Sequence, residues 1–278
     1  MAAPPPPRAA FAARAAVTER LRAAGCVFAE DEARLLERAA ATPEQLEALV
    51  AQRVTGVPLE HILGWAEFCG HRIAVEAGVF VPRRRTGFLV RQAAQLLAGA
   101  RAGRTPVVVD LCCGSGAVGA VLAAQAGPLE LHASDIDPRA VRCAARNLVP
   151  FGGCVHEGDL YAPLPERLRG RVDILAVNAP YVPSADIGTM PQEARLHEPR
   201  VSLDGGADGL QVQERVAAGA LHWLAPGGHL LIETSRRQAA RTAGLFVRHG
   251  LTARVASSRE LDATVVIGTA AAPPGGRP

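Results

Sequence analysis

The sequence predicts an α/β protein with an open, mostly parallel seven-stranded sheet, helices on both sheet faces and a small helical domain in front. Three observations predict this. From residue 86 onward, short apolar runs alternate with helix-length segments. The first of those runs passes directly into a glycine-rich turn, Asp110 to Ala117, which opens a helix. Residues 11–62 show helical periodicity and no convincing strand.

The elements follow in order. Residues 1–10, with the run Pro4 to Pro7, read as a disordered leader. A helix from about Arg8 to Ala24 ends near Gly25, a C-cap residue. A second helix spans about Glu30 to Ala41. A third starts at Thr42-Pro43-Glu44-Gln45: the threonine can cap, the proline suits the first helical position, and Gln45 completes a capping box. It ends near Gly56-Val57-Pro58. Residues 63–85 are apolar and glycine-punctuated, and Phe68, Ile73, Val75, Val79 and Val81 predict a hairpin linking two domains. The second domain, 86–269, holds strands at Pro106–Leu111, Leu129–Ser134, Cys154–Glu157, Val172–Val177, His229–Glu233, Leu251–Ala256 and Thr264–Thr269. Its helices are Ala117–Gln125, Pro138–Leu148, Leu210–Leu224 (ending at Pro226-Gly227-Gly228) and Ser235–His249. Residues 270–278 form a Pro/Gly tail.

Composition excludes several classes. The net charge of +3 is small, and Arg83-Arg84-Arg85 reads as a solvated turn, so nucleic-acid binding is not expected. No apolar run is long enough to span a membrane, and the N-terminus lacks a signal-peptide core. The 6 cysteines show neither a C-x-x-C pair nor zinc-ligand spacing, so no metal is expected and the protein reads as reduced and cytoplasmic.

Two stretches carry chemistry. The first is Asp110-Leu111-Cys112-Cys113-Gly114-Ser115-Gly116-Ala117. Its glycines let the backbone approach a ligand, and Asp110 is placed to hold a charged amino-acid portion. The next strand ends in Asp135-Ile136, and an acid at that spacing can accept hydrogen bonds from both ribose hydroxyls. Asp159-Leu160, after the third strand, can face an adenine or simply cap a loop. Gly114, Gly116 and Gly119 satisfy G-x-G-x-x-G, so this stretch alone leaves a dinucleotide open.

The second stretch is Asn178-Ala179-Pro180-Tyr181, after the fourth strand. An amide or ring-linked amino nitrogen is a poor nucleophile because its lone pair is delocalised. The Asn178 side-chain oxygen and the Ala179 carbonyl can accept its N–H bonds and turn the lone pair toward an electrophilic methyl carbon. Pro180 stiffens the turn, and Tyr181 offers a flat face to a planar acceptor. The pairing of a nucleoside site with this tetrapeptide points to S-adenosylmethionine as cofactor, with Asp110, Cys113, Gly114, Ser115, Gly116, Ala117, Asp135, Ile136, Asp159, Leu160 and Asn178 as its candidate contacts.

On these residues the chain resembles the HemK/PrmC-type protein glutamine N5-methyltransferases, which modify the Gly-Gly-Gln loop of peptide-chain release factors. The resemblance also rests on Gly56 to Gly64, on Glu67-Phe68-Cys69-Gly70 and on Glu198 to Leu210, the most family-specific stretch. It implies a class I methyltransferase Rossmann-like domain, an N-terminal domain that docks the protein substrate and a release factor as partner; the chain is expected to be a monomer. Two departures stand out. Ala179 replaces the first proline of Asn-Pro-Pro-Tyr, and Pro82-Arg83-Arg84-Arg85-Thr86-Gly87 replaces Pro-Arg-Pro-Glu-Thr-Glu. A paralogue acting on another protein, an amino methyltransferase acting on adenine or cytosine in nucleic acid or on a small molecule, and an inactive cofactor-binding module remain the alternatives.

Overall fold

The computed structural model describes residues 7–99 and 104–272. Four helices come first: α1 (Pro7–Ala23), α2 (Ala29–Ala39), α3 (Pro43–Val54) and α4 (Leu59–Leu63). Thr42 caps α3 by accepting from the Gln45 N–H at 3.2 Å, with Pro43 at the first helical position. The Gln45 side chain reaches back one residue further than a capping box requires, to the Ala41 N–H. Leu21, Ala33, Leu36 and Val50 form the core of this domain, and Leu59, Ile62 and Leu63 of α4 close it. Helix α1 begins at Pro7, inside the segment 1–10 read as a leader, and residues 1–6 lie outside the described residues.

The linker hairpin pairs β1 (Trp65–Phe68) with β2 (His71–Ala74) through the two-residue turn Cys69-Gly70. Both turn residues have positive φ (52° and 79°), the geometry that matches strand twist in a tight hairpin. The hairpin is shorter than its apolar pattern predicts. Val75, Val79 and Val81 are buried in irregular chain beyond it, so they serve packing rather than pairing.

The second domain runs α5 (Gly87–Ala98), β3 (Val107–Leu111), α6 (Ala117–Ala126), β4 (Glu130–Asp135), α7 (Pro138–Leu148), β5 (Cys154–Glu157), β6 (Val172–Val177), α8 (Gln192–His197), α9 (Gln211–Trp223), β7 (Leu224–Thr234), α10 (Ala239–Arg248), β8 (Thr252–Ser258) and β9 (Ala263–Thr269). The sheet order is β5-β4-β3-β6-β7-β9-β8, and only β9 runs against its neighbours. Strand order reverses at β3, so a crevice opens at the carboxyl ends of β3 and β6.

Alternation along β3 explains why both faces are covered. Val107, Val109 and Leu111 pack with Val216, Ala217, Trp223, Leu245 and Phe246 of α9 and α10. Val108 faces the opposite way, onto Leu89, Val118, Val121 and Leu122 of α5 and α6.

Four readings need correction. Helix α5 is absent from the sequence reading; its apolar face is buried against the sheet, and Thr86 at its N-cap makes no side-chain cap bond. Strand β7 begins at Leu224, so Pro226-Gly227-Gly228 does not end the preceding helix but forms an irregular start to a strand, where the pairing with β6 shifts register. Helix α10 begins at Ala239 rather than Ser235, because Ser235 bonds Gln238 in a turn before it. Ala270, placed in the tail, is buried and exchanges backbone bonds with Gly227 and Gly228, whereas residues 273–278 lie outside the described residues.

Candidate active site

A cavity of about 640 Å³ occupies the crevice at the carboxyl ends of β3, β4 and β6. Every candidate residue lines it except one: Asp110, Cys113, Gly114, Ser115, Ala117, Asp135, Ile136, Asp159, Leu160 and the four residues Asn178 to Tyr181 are all present. Gly116 is the exception. It stands at the N-cap of α6 with φ +73°, and a Cβ there would sit 3.1 Å from Ala144 and Leu148 of α7. Its role is to let α6 and α7 meet beneath the loop.

The loop is held by carboxylates. Asp110 is 2% exposed, and its Oδ2 accepts the Gly119 N–H at 2.9 Å. That N–H is one of the donors left unpaired in the first turn of α6, and the cap residue, a glycine, has no side chain to serve it. Burial, opposed by this bond, pushes the Asp110 carboxyl up to about 7. Asp135 ties the loop to β4: Oδ2 accepts from the Gly114 N–H at 2.8 Å and Oδ1 from the Asp137 N–H at 3.0 Å. Asn147 of α7, which the sequence reading missed, donates to the Ser115 carbonyl at 2.8 Å and bonds both backbone groups of Ala74. It thereby fastens the linker hairpin to the glycine loop. Burial raises the Cys112 and Cys113 thiols, with nearby Asp135 and Asp110 adding to the effect, so neither is set up as a nucleophile.

The remaining wall carries Ile136, half exposed, and Leu160, buried with φ 49°. Asp159 is ion-paired with Arg215 at 2.5 Å rather than free. Phe80 and Phe68 of the linker also line the cavity, a contribution that motif reading could not supply.

The tetrapeptide follows the neighbouring strand end and forms a second part of the lining, and the stretch Glu198–Leu210 explains its shape. After Tyr181 the chain runs beside 203–206: the Val182 N–H donates to the Leu203 carbonyl, and the Gly205 N–H returns to the Val182 carbonyl. A Cβ at Gly209 would lie 2.3 Å from the Tyr181 carbonyl oxygen, so no other residue fits there without displacement. Gln238 donates to that same carbonyl at 3.0 Å. Glu198, buried, takes the Val81 N–H at 3.1 Å and Arg83 at 2.6 Å, which docks the linker onto this wall.

The arginine run splits three ways. Arg83 is engaged by Glu198, Arg84 is exposed, and Arg85 lines the cavity beside Tyr181 and bonds buried Glu233 at 3.2 Å. Reading all three as one solvated turn is therefore corrected. Burial, with the Glu233 carboxylate next in effect, pushes the Tyr181 hydroxyl up to about 12, so it stays protonated. At Gly87 a Cβ would come within 2.9 Å of the Cys69 sulfur, so a larger residue there would have to move that side chain. Among the described residues no group of three or more His, Cys, Asp or Glu could hold a metal ion, and no helix is long and apolar enough to cross a membrane.

Comparison with known proteins adds a family. The methyltransferase small domain model matches residues 72–203. A release factor glutamine methyltransferase from Geobacter sulfurreducens is 37% identical over 213 residues, 75% of this chain and 72% of that one. One from Cereibacter sphaeroides is 34% identical over 277 residues, covering 92% and 95%. A 4-amino-L-phenylalanine/4-methylamino-L-phenylalanine methyltransferase from Streptomyces pristinaespiralis is 37% identical over 206 residues, covering 73% and 70%.

Proposed function

We propose the function from one premise: the chain belongs to the HemK/PrmC-type family of protein glutamine N5-methyltransferases. The enzyme transfers a methyl group from S-adenosylmethionine to the side-chain amide nitrogen of a glutamine, in the Gly-Gly-Gln loop of a peptide-chain release factor. The carrying observation is that the carboxylate-held loop, 110–117, and the tetrapeptide, 178–181, leave neighbouring strand ends and line one cavity.

The residues present fit the cofactor. Asp110 is a buried carboxyl with a single backbone donor and a raised proton affinity, which is the chemistry of a site that takes up a cationic group. Asp135 holds two backbone N–H groups and keeps lone pairs for a vicinal diol. Ile136 and Leu160 supply apolar surface for a flat base. When bound, S-adenosylmethionine supplies an electrophilic methyl carbon. The chain's own part is orientation. The Asn178 Oδ1 and the Ala179 carbonyl accept the two N–H bonds of the acceptor amide, which directs its lone pair and favours tetrahedral nitrogen. Tyr181 covers the acceptor with its ring. No base is required, since the proton leaves after transfer.

We assign residues 11–62 to docking the protein substrate, 63–85 to the linker and 86–269 to catalysis, and we place the enzyme in the cytoplasm as a monomer. Intact-mass analysis of an unmethylated release factor, incubated with this protein and S-adenosylmethionine, tests the reading. A gain of one methyl mapped to the glutamine supports it. No gain, with cofactor binding shown separately, refutes the release factor as substrate. A second reading is supported by the Streptomyces pristinaespiralis relative and by Arg85, a cation beside Tyr181 where the family usually has glutamate. It takes a small aromatic amine bearing a carboxylate, and the same assay with 4-amino-L-phenylalanine checks it.

A further inference from the structure

Glu233 stands one residue beyond the last pairing of β6 with β7, beside Asn178. It is 1% exposed. Its Oε1 takes Arg85 Nε at 3.2 Å and the Tyr181 hydroxyl at 3.5 Å, while Oε2 is buried with no hydrogen-bond partner among the described residues. A buried carboxylate oxygen without a donor is costly, and it needs a neighbour able to turn a proton onto it.

That neighbour is Thr86, 2% exposed at the start of α5. Burial raises the Glu233 carboxyl above its ordinary value, and a hydrogen bond from the Thr86 hydroxyl opposes that rise, while Thr86 Oγ1 accepts the Asn178 Nδ2–H at 3.5 Å. A threonine hydroxyl carries one proton. If that proton goes to Glu233, the threonine can only accept from Asn178. The amide nitrogen of Asn178 must then face Thr86, and its oxygen must face the acceptor.

We propose that Glu233, acting through Thr86, is the positioning residue that sets which way the Asn178 amide faces. The inference rests on the acceptor-site reading above. Arg85 and Tyr181 hold Glu233 in place from the other side. A glutamine at 233 would donate to Thr86 instead, freeing the threonine proton for the Asn178 oxygen and turning the amide around.

The test uses Glu233→Gln, Thr86→Val and Thr86→Ser in the full chain, with unmethylated release factor as substrate. Expected are kcat losses of roughly 10- to 100-fold for Glu233→Gln and Thr86→Val. KM for the release factor, Kd for S-adenosylmethionine and Tm should change little. Thr86→Ser should restore most of kcat, and the double variant should be no worse than the poorer single one, because both act on one proton. Parent-like kcat in Thr86→Val, or equal damage from serine and valine, would overturn the inference. Asn178→Ala separates the two levels. If it is inactive while Thr86→Val is fully active, the positioning role fails and the acceptor site stands; if it turns over normally, both fail. An activity-independent measurement is the 15N-detected side-chain amide signal of Asn178. It should move in Glu233→Gln and Thr86→Val, and an unmoved signal refutes the role.

Discussion

The two walls of the cavity are held by different means. On the cofactor wall, carboxylates grip backbone N–H groups at 2.8–3.0 Å, from strands buried in a parallel sheet. On the acceptor wall, Asn178, Thr86, Tyr181, Arg85 and Glu233 meet through side-chain contacts of 3.2–3.5 Å. The first wall is preorganised by main chain and tolerates little. The second is backed by a backbone ladder to 203–206, but its functional side chains come from three separate stretches, so its geometry can be retuned one residue at a time. Catalysis should therefore be most fragile on the loosely bonded wall, and stability on the tight one.

The largest effect tests the acceptor wall. Asn178→Ala should lower kcat by roughly 100- to 1,000-fold, with S-adenosylmethionine affinity, measured by calorimetry, kept within about tenfold. Comparable losses in both quantities would merge the two walls into one site. Next, Gly116→Ala should cost about 1–3 kcal/mol of stability, since a Cβ would press on Ala144 and Leu148 at positive φ. Denaturant unfolding checks it, and an unchanged midpoint would show that α6 and α7 can part freely.

The third effect is a pH dependence of the cofactor wall. The Asp110 carboxyl, raised by burial from 3.8 to about 7, holds its proton in the folded protein over a range where the unfolded chain has lost it. Its contribution to stability is therefore greatest at low pH and is lost as pH rises through about 7. A cationic ligand selects the ionised form. Affinity for S-adenosylmethionine should rise up to about tenfold from pH 6 to 8, with proton release seen as buffer-dependent heat. Asp110→Asn should flatten the profile; a slope that survives assigns it to another group. The smallest effect is Ala179→Pro. Ala179 is buried, and among the described residues its N–H donates to no backbone carbonyl. Proline there should add about 0.4–1 kcal/mol of stability and leave kcat near the parent value, and a fall in Tm would show that the loop needs the freedom of Ala179.

Local patterns in the chain suffice for the strand and helix alternation, because both sheet faces are apolar and the period is visible residue by residue. They suffice for the glycine loop and the tetrapeptide too, since each is contiguous and follows a strand end. Helix α5 escapes because the arginine run and Gly87 at its first position read as a turn, while Thr86 at the N-cap forms no cap bond. Strand β7 is read too short because Pro226-Gly227-Gly228 looks like a terminator, while tertiary pairing with β6 extends through it.

What only the folded chain decides is which distant residues share a proton or a charge. Thr86, Asn178 and Glu233 lie up to 147 positions apart (233 − 86) and look unremarkable in isolation. They meet because β6 and β7 are neighbours and α5 packs its start against their ends. The arginine run makes the same point. Its charge is plain in the sequence, but whether an arginine is solvated or holds a buried carboxylate depends on desolvation, and desolvation is a property of the packed structure.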